Sequence, residues 1–134
     1  MPEGVGYSNP QAIAVVGQDI TYIAGKYWGG WSGDVICTNG ADGTLFNFRS
    51  PKNPVIMSFT MIVDRSYLGT NEIGYDLKLN GQSVANYRMP NTNNTQDLDA
   101  LVILVPPLTE VLIESQTDDD NNITTNGVIV AEII

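Results

Sequence analysis

The chain has 134 residues, no histidine and one cysteine, and 15 Asp+Glu against 6 Lys+Arg give a formal net charge of −9. This length is typical of one domain. The negative charge repels phosphate backbones and anionic lipid headgroups, so we expect neither nucleic acid nor a membrane as a partner. The lack of histidine removes the usual general base and zinc ligand. No catalytic, cofactor or metal motif is present, and we predict a protein that is not an enzyme.

The N-terminal region divides into an arm and the start of a folded domain. Residues 1–11 contain two prolines and two glycines, which is typical of an extended arm. We therefore predict an arm over residues 1–11 and a single β-domain over residues 12–134. The opening residues do not show a basic segment followed by an apolar core, so we do not expect secretion. Ala12–Val16 and Asp19–Ala24 are predicted strands.

The most aromatic segment is Gly25–Gly33, G-K-Y-W-G-G-W-S-G, with Tyr27, Trp28 and Trp31 among four glycines. The glycines predict a loop or a sharply bent strand end. In one interpretation the indoles plug an end of the β-core, which is the more ordinary role of such residues. In the other, the aromatic rings form an exposed platform for a sugar or a protein.

Two hairpins and a core strand are predicted in the middle of the chain. Asp34–Thr38 and Thr44–Arg49 flank a run of turn formers, T-N-G-A-D-G, and should pair. Tyr75–Leu79 and Gln82–Arg88 flank Asn80-Gly81, a strong two-residue turn signal. That turn would place Leu79 opposite Gln82 and Leu77 opposite Val84, with the return strand near a sheet edge. The core strand is Val55–Asp64, whose apolar face comprises Val55, Met57, Phe59, Met61 and Val63.

The C-terminal third carries the strongest apolar signals. Leu101–Val105 and Val111–Ile113 are separated by Pro106-Pro107, which cannot continue a ladder, so two strands should meet at a rigid corner. The last strand, Gly127–Ile134, is apolar on both faces. The pattern predicts an all-β fold, an antiparallel, jelly-roll-like β-sandwich of eight or nine strands without significant helix.

The apolar surplus of the C-terminal strands exceeds what a sandwich monomer buries. We therefore expect a homo-oligomer, most plausibly a trimer. The expected oligomer or partner interface comprises Val102, Leu104, Leu112, Ile129 and Ile133.

Reactive side chains give weaker signals. A glycosidase needs two carboxylates across a cleft, and nothing favours any pair among Asp97/Asp99, Asp64 and Glu110/Glu114. Asp118–Asp120 superficially resembles a calcium loop, but it lacks the ligand spacing and glycine of that motif, so a solvated turn is preferred. Cys37 lies in a strand-like run and is predicted to be a small buried residue.

Several segments together resemble a known group of proteins. The opening M-P-E-G-V-G-Y-S, the strand T-L-F-N-F-R-S, the hairpin Y-D-L-K-L-N-G and above all A-L-V-I-L-V-P-P-L-T-E-V-L-I-E-S are similar to small all-β virion proteins of tailed phages, of the cyanophage type. The resemblance implies a capsid decoration or cement protein that binds the major capsid protein on the outside of the virion, commonly as a trimer. The alternative is a carbohydrate-binding or receptor-binding module that uses Tyr27, Trp28 and Trp31.

Overall fold

Strands form almost all of the regular structure in this computed structural model, which describes residues 14–15, 19–24, 26–63, 72–90 and 100–134. The described strands are β1 Ala14–Val15, β2 Asp19–Ala24, β3 Tyr27–Trp31, β4 Val35–Cys37, β5 Gly43–Arg49, β6 Val55–Val63, β7 Glu72–Leu79, β8 Gln82–Pro90, β9 Leu101–Val105, β10 Glu110–Thr117 and β11 Ile123–Ile133. Nine of these eleven have five or more residues. The described part contains no helix that could cross a membrane. The predicted arm at residues 1–11 lies outside the described residues.

The strands form two antiparallel sheets, so the predicted all-β sandwich is confirmed. The six-stranded sheet has the order β9-β6-β11-β3-β2, with β4 also paired to β11. The five-stranded sheet has the order β1-β5-β10-β7-β8. Strand β6 alternates as predicted: Val55, Met57, Phe59, Met61 and Val63 are all buried between the sheets.

The core between the sheets is built from apolar side chains with aromatic rings in edge-to-face contact. The ring of Phe59 lies 4.9 Å from that of Tyr75 and 6.2 Å from that of Phe46, and Trp28 meets Phe48 at 5.4 Å. Such edge-to-face pairs add to the stabilisation that area burial provides. Cys37 is buried at the margin of this core, as predicted.

The β7–β8 hairpin has the predicted turn but a different register. Asn80 and Gly81 both have positive φ, and Leu79 pairs with Gln82. The prediction that Leu77 opposes Val84 is wrong, because a β-bulge between Leu77 and Lys78 shifts the pairing by one residue. Strand β8 lies at the edge of its sheet, as expected.

Two of the chain crossings between the sheets bear on predictions made from the sequence. Strand β9 belongs to the six-stranded sheet and β10 to the five-stranded sheet, so the corner predicted at Pro106-Pro107 is confirmed as a crossing between layers. The predicted hairpin of Asp34–Thr38 with Thr44–Arg49 is wrong. Strand β4 pairs with β11 whereas β5 pairs with β10 and β1, because the turn between them carries the chain from one sheet to the other.

Candidate functional site

The outer face of the five-stranded sheet is polar and held by side-chain hydrogen bonds. Lys78 Nζ lies 3.8 Å from Asp76 Oδ2 and 3.6 Å from Glu114 Oε1. Gln116 accepts from Arg88 Nη2 at 3.2 Å, and its own amide nitrogen donates to Asp42 Oδ2 at 3.1 Å. A face with this many charged and bonded groups suits contact with water.

The outer face of the six-stranded sheet is apolar instead. Cross-strand partners point to the same side of a sheet, and the registers of β9, β6, β11 and β3 place neighbouring exposed apolar side chains on this face. We call this surface the apolar face; its exposed large hydrophobic residues are Tyr27, Trp31, Ile36, Ile56, Val102, Leu104, Val128 and Val130. Ser58, Thr60 and Glu132 lie among these residues on the same face. Exposed apolar area of this extent is typical of an interaction surface.

Within the aromatic segment, Tyr27–Trp31 form strand β3 inside the sheet, between β2 and β11. Of the two predicted alternatives, a loop or a sharply bent strand end, the loop is wrong for these residues. Strand alternation separates the aromatic residues. Trp28 is 0% exposed and plugs the core, whereas Tyr27 and Trp31 are 40% and 58% exposed on the apolar face. The core-plug interpretation therefore holds for Trp28, and Tyr27 and Trp31 have the exposure that the platform interpretation requires.

A glycine separates the two exposed rings. Gly29 lies between Tyr27 and Trp31 along β3 and pairs with Val130 of β11. With a strand rise of about 3.3 Å per residue, the Cα atoms of Tyr27 and Trp31 are roughly 13 Å apart. Gly29 itself is buried, so neighbouring groups cover the backbone between the two rings. We call Tyr27, Gly29 and Trp31 the aromatic platform.

A charged pair borders one end of the aromatic platform. Lys26 Nζ lies 2.8 Å from Glu132 Oε2 and 5.5 Å from the centre of the Tyr27 ring. The hydrogen bond from Lys26 lowers the pKa of Glu132, and the Tyr27 hydroxyl donates a further hydrogen bond that acts in the same direction. The same pairing raises the pKa of Lys26. A ligand on the Tyr27 ring would therefore lie near the ammonium group of Lys26, the carboxylate of Glu132 and the hydroxyl of Tyr27 itself.

The five residues expected at an interface occupy different places. Val102 and Leu104 are 64% and 57% exposed on the apolar face, and Leu112 is half-buried on the outer face of the other sheet. Ile129 needs a correction: it is 1% exposed and belongs to the chain's own core. Ile133 also packs partly against that core.

Strand alternation along β11 explains why Ile129 is buried. The side chains of Ile129 and Ala131 face the core, so the apolar side chains on the outer side of the strand are those of Val128 and Val130. Both sides of the strand are apolar, as predicted, but the two residues expected at an interface, Ile129 and Ile133, lie on the side that faces the core.

The candidate carboxylates do not converge on a site in the described residues. Asp118 accepts a hydrogen bond from the Glu72 backbone N–H, and Asp119 accepts one from that of Asn121, so both stabilise the turn between β10 and β11. No group of three or more acidic or cysteine side chains there could hold a metal ion. Glu114 is paired with Lys78, and Asp64, Asp97 and Asp99 lie outside the described residues.

No protein-family profile matches the sequence, and a search of curated proteins found no relative. Among solved structures, the chain is similar to a family 35 carbohydrate-binding module from Clostridium thermocellum, with 10% identity over 87% of this chain and 90% of that one, at a TM-score of 0.42. It is also similar to a CBM35 from Paenibacillus barcinonensis, with 10% identity over 88% and 91% of the two chains and a TM-score of 0.40.

A third similar structure is the GH26-CBM35 β-(1,4)-mannanase of Podospora anserina, with 10% identity over 87% of this chain and 25% of the enzyme, at a TM-score of 0.40. These values are too low to assign the chain to a family, and no residue role is transferred from these proteins.

Proposed function

We propose that the protein is a carbohydrate-binding β-sandwich whose ligand lies along β3, on the aromatic platform. The observation that carries this proposal is the exposure of Tyr27 and Trp31 on one face around Gly29. Aromatic rings present a large apolar surface with a negatively charged face, which attracts the positively polarised C–H groups of a sugar ring.

The spacing of the rings favours an extended ligand. A separation of roughly 13 Å between the Cα atoms is more than one hexose ring spans, so Tyr27 and Trp31 would contact different units of the same chain. Lys26 and Glu132 provide a hydrogen-bond donor and an acceptor for hydroxyl groups at the Tyr27 end. The ligand class is therefore a neutral oligo- or polysaccharide.

The test is binding to a panel of soluble neutral polysaccharides by affinity gel electrophoresis, followed by calorimetry on the best ligand. We expect Trp31→Ala and Tyr27→Ala each to weaken binding about tenfold, which corresponds to about 1.4 kcal/mol for the loss of one stacked ring. The matched control is Tyr87→Ala, because Tyr87 is an equally exposed tyrosine on β8 of the other sheet. Equal affinities of wild type and both platform variants would refute the proposal.

A second candidate function is that of a capsid decoration protein, which binds the major capsid protein on the exterior of a phage particle. The observation that favours it is the breadth of the apolar face, which extends past the aromatic platform to Ile56, Val102 and Leu104. Addition of the protein to decoration-free capsids should then raise their resistance to heat, and Leu104→Lys should abolish binding. Capsids that neither bind nor gain stability would count against this function.

A further inference from the structure

Strand β9 forms one edge of the six-stranded sheet. In the described part of the chain it pairs with β6 alone, from Leu101 opposite Phe59 to Val105 opposite Val55. In an antiparallel pair, alternate residues direct their N–H and C=O groups away from the partner strand. The outer edge of β9 therefore presents a row of backbone donors and acceptors to a further strand.

Strand β9 itself lacks two of the features by which proteins discourage edge pairing. Charged side chains and prolines within an edge strand oppose such pairing, and Leu101–Val105 contains neither. The two side chains that β9 directs outward, Val102 and Leu104, are also among the most exposed apolar residues of the described part. An added strand would pair the backbone groups and place its own side chains beside these two.

We propose that the occupant of this edge is β9 of a second copy of the chain, in an antiparallel pair. A strand that pairs with its own copy in this way has a central residue opposite itself, and full overlap of Leu101–Val105 places Ile103 at that centre. Val102 of each copy then lies opposite Leu104 of the other, on the apolar face. The pairing is thus self-complementary, with apolar side chains opposite apolar side chains.

Charge does not oppose a second copy along β9 itself. The chain carries a formal net charge of −9, so two copies repel each other over most of their surfaces. On β3, β4, β6, β9 and β11 the outward-facing residues include one charged side chain, Glu132, which forms an ion pair with Lys26. The side chains that β9 directs outward, Val102 and Leu104, are uncharged, so the paired strands themselves do not bring like charges together.

The antiparallel pairing also determines the relative orientation of the two copies. Identical strands in an antiparallel pair are related by a twofold axis perpendicular to the sheet, so both apolar faces lie on the same side of one continuous sheet. The dimer presents two aromatic platforms in a single direction. This twofold arrangement replaces the threefold one expected from the sequence, and its two platforms would raise the avidity for a long ligand.

Sedimentation equilibrium of the full chain at micromolar concentrations tests the pairing. We expect the mass of two chains for wild type and of one chain for Val102→Lys, because a lysine introduced here places two like charges in the paired strands. The matched control, Val84→Lys, alters an exposed valine on edge strand β8 of the other sheet and should remain dimeric. A wild-type mass of one or three chains, or a dimeric Val102→Lys, would overturn the proposal.

Two further measurements keep the result interpretable. If Val102→Lys fails to fold, Leu104→Lys should give the mass of one chain instead. In a separate experiment, Ile103→Cys should form a disulfide-linked dimer under mild oxidation, whereas Val84→Cys should not. Absence of the cross-link in a folded Ile103→Cys variant contradicts the register. Dimer formation and glycan binding can be tested separately. Trp31→Ala should remain a dimer, and Val102→Lys should bind glycan with the affinity of a single aromatic platform.

Discussion

Ser50 and Thr109 bind each other through two hydrogen bonds across the corner that joins the sheets. The Ser50 N–H donates to the Thr109 carbonyl at 2.8 Å, and the Thr109 N–H donates to Ser50 Oγ at 2.8 Å. The same hydroxyl donates to the Pro106 carbonyl at 2.8 Å. Both residues are buried. One serine therefore satisfies backbone groups that the double proline leaves without ladder partners.

Ser50→Ala should destabilise the protein by about 1–3 kcal/mol, because it leaves the buried Thr109 N–H and the Pro106 carbonyl without the Ser50 hydroxyl as a partner. The measurement is urea unfolding followed by tryptophan fluorescence. Ser58→Ala is the control, since Ser58 is half-exposed on the apolar face, and that variant should stay within about 0.5 kcal/mol of wild type. Equal losses in both variants would show that the corner does not depend on Ser50.

Gly127 allows two phenylalanine rings to approach β11. A Cβ atom at this position would lie 2.8 Å from the Phe59 ring and 3.1 Å from the Phe46 ring, both of which are buried and packed. We expect Gly127→Ala to cost about 1–3 kcal/mol of stability by overpacking. Urea unfolding measures this, and Gly127→Ala should cost less in a Phe59→Leu background than in the wild-type chain. An equal cost in both backgrounds would argue against overpacking.

Burial raises the pKa of the Cys37 thiol; the nearby Asp42 carboxylate acts in the same direction and a hydrogen bond with Ser115 opposes it. The unfolded chain therefore loses this proton first as the pH rises. The contribution of Cys37 to stability is retained below the ordinary thiol pKa of about 8.5 and decreases above it.

Unfolding at pH 7 and pH 9.5 should consequently show a larger loss of stability for wild type than for Cys37→Ala, which lacks the titrating group. Iodoacetamide should modify Cys37 slowly in the native protein and rapidly in denaturant. Fast modification of the native protein would mean that the thiol is accessible.

The Lys26–Glu132 ion pair should depend on pH in the acidic range. Because the hydrogen bond with Lys26 lowers the pKa of Glu132, the pair is intact above the ordinary pKa of a glutamate and is lost as the pH falls through the lowered value. Lys26→Ala should return the pKa of Glu132 towards its ordinary value, as measured by NMR of the side-chain carboxyl carbon. Lys52→Ala, a change at a lysine outside this pair, should leave it unchanged. Identical titrations of Glu132 in both variants would contradict the pairing.

Strand alternation allowed much of the sandwich to be predicted from the sequence. The β6 pattern gave the correct buried face, and Asn80-Gly81 gave the correct turn. The register beyond that turn could not be predicted, because a β-bulge depends on how the strand packs. The sequence also could not show that β4 and β5 enter different sheets, since turn residues fit a hairpin and a crossing equally well.

The candidate site was predictable only in part. The glycines of the aromatic segment suggested a loop, whereas pairing on both sides makes it a strand, and tertiary contacts override such a local preference. Read as a strand, the same residues would have separated Trp28 from Tyr27 and Trp31 by their alternate positions. Ile56 and Glu132 join the site through cross-strand pairing, for which the sequence contains no local signal.

The contrast between the two outer faces determines how the molecule should orient at a boundary. One face carries ion pairs and amide hydrogen bonds, and the other carries valines, leucine, isoleucines and two aromatic rings. A layer of such molecules on a less polar surface would adsorb in a single orientation, with the polar sheet directed towards water. The coated surface would then take on the negative charge of the protein, and coated particles would repel one another.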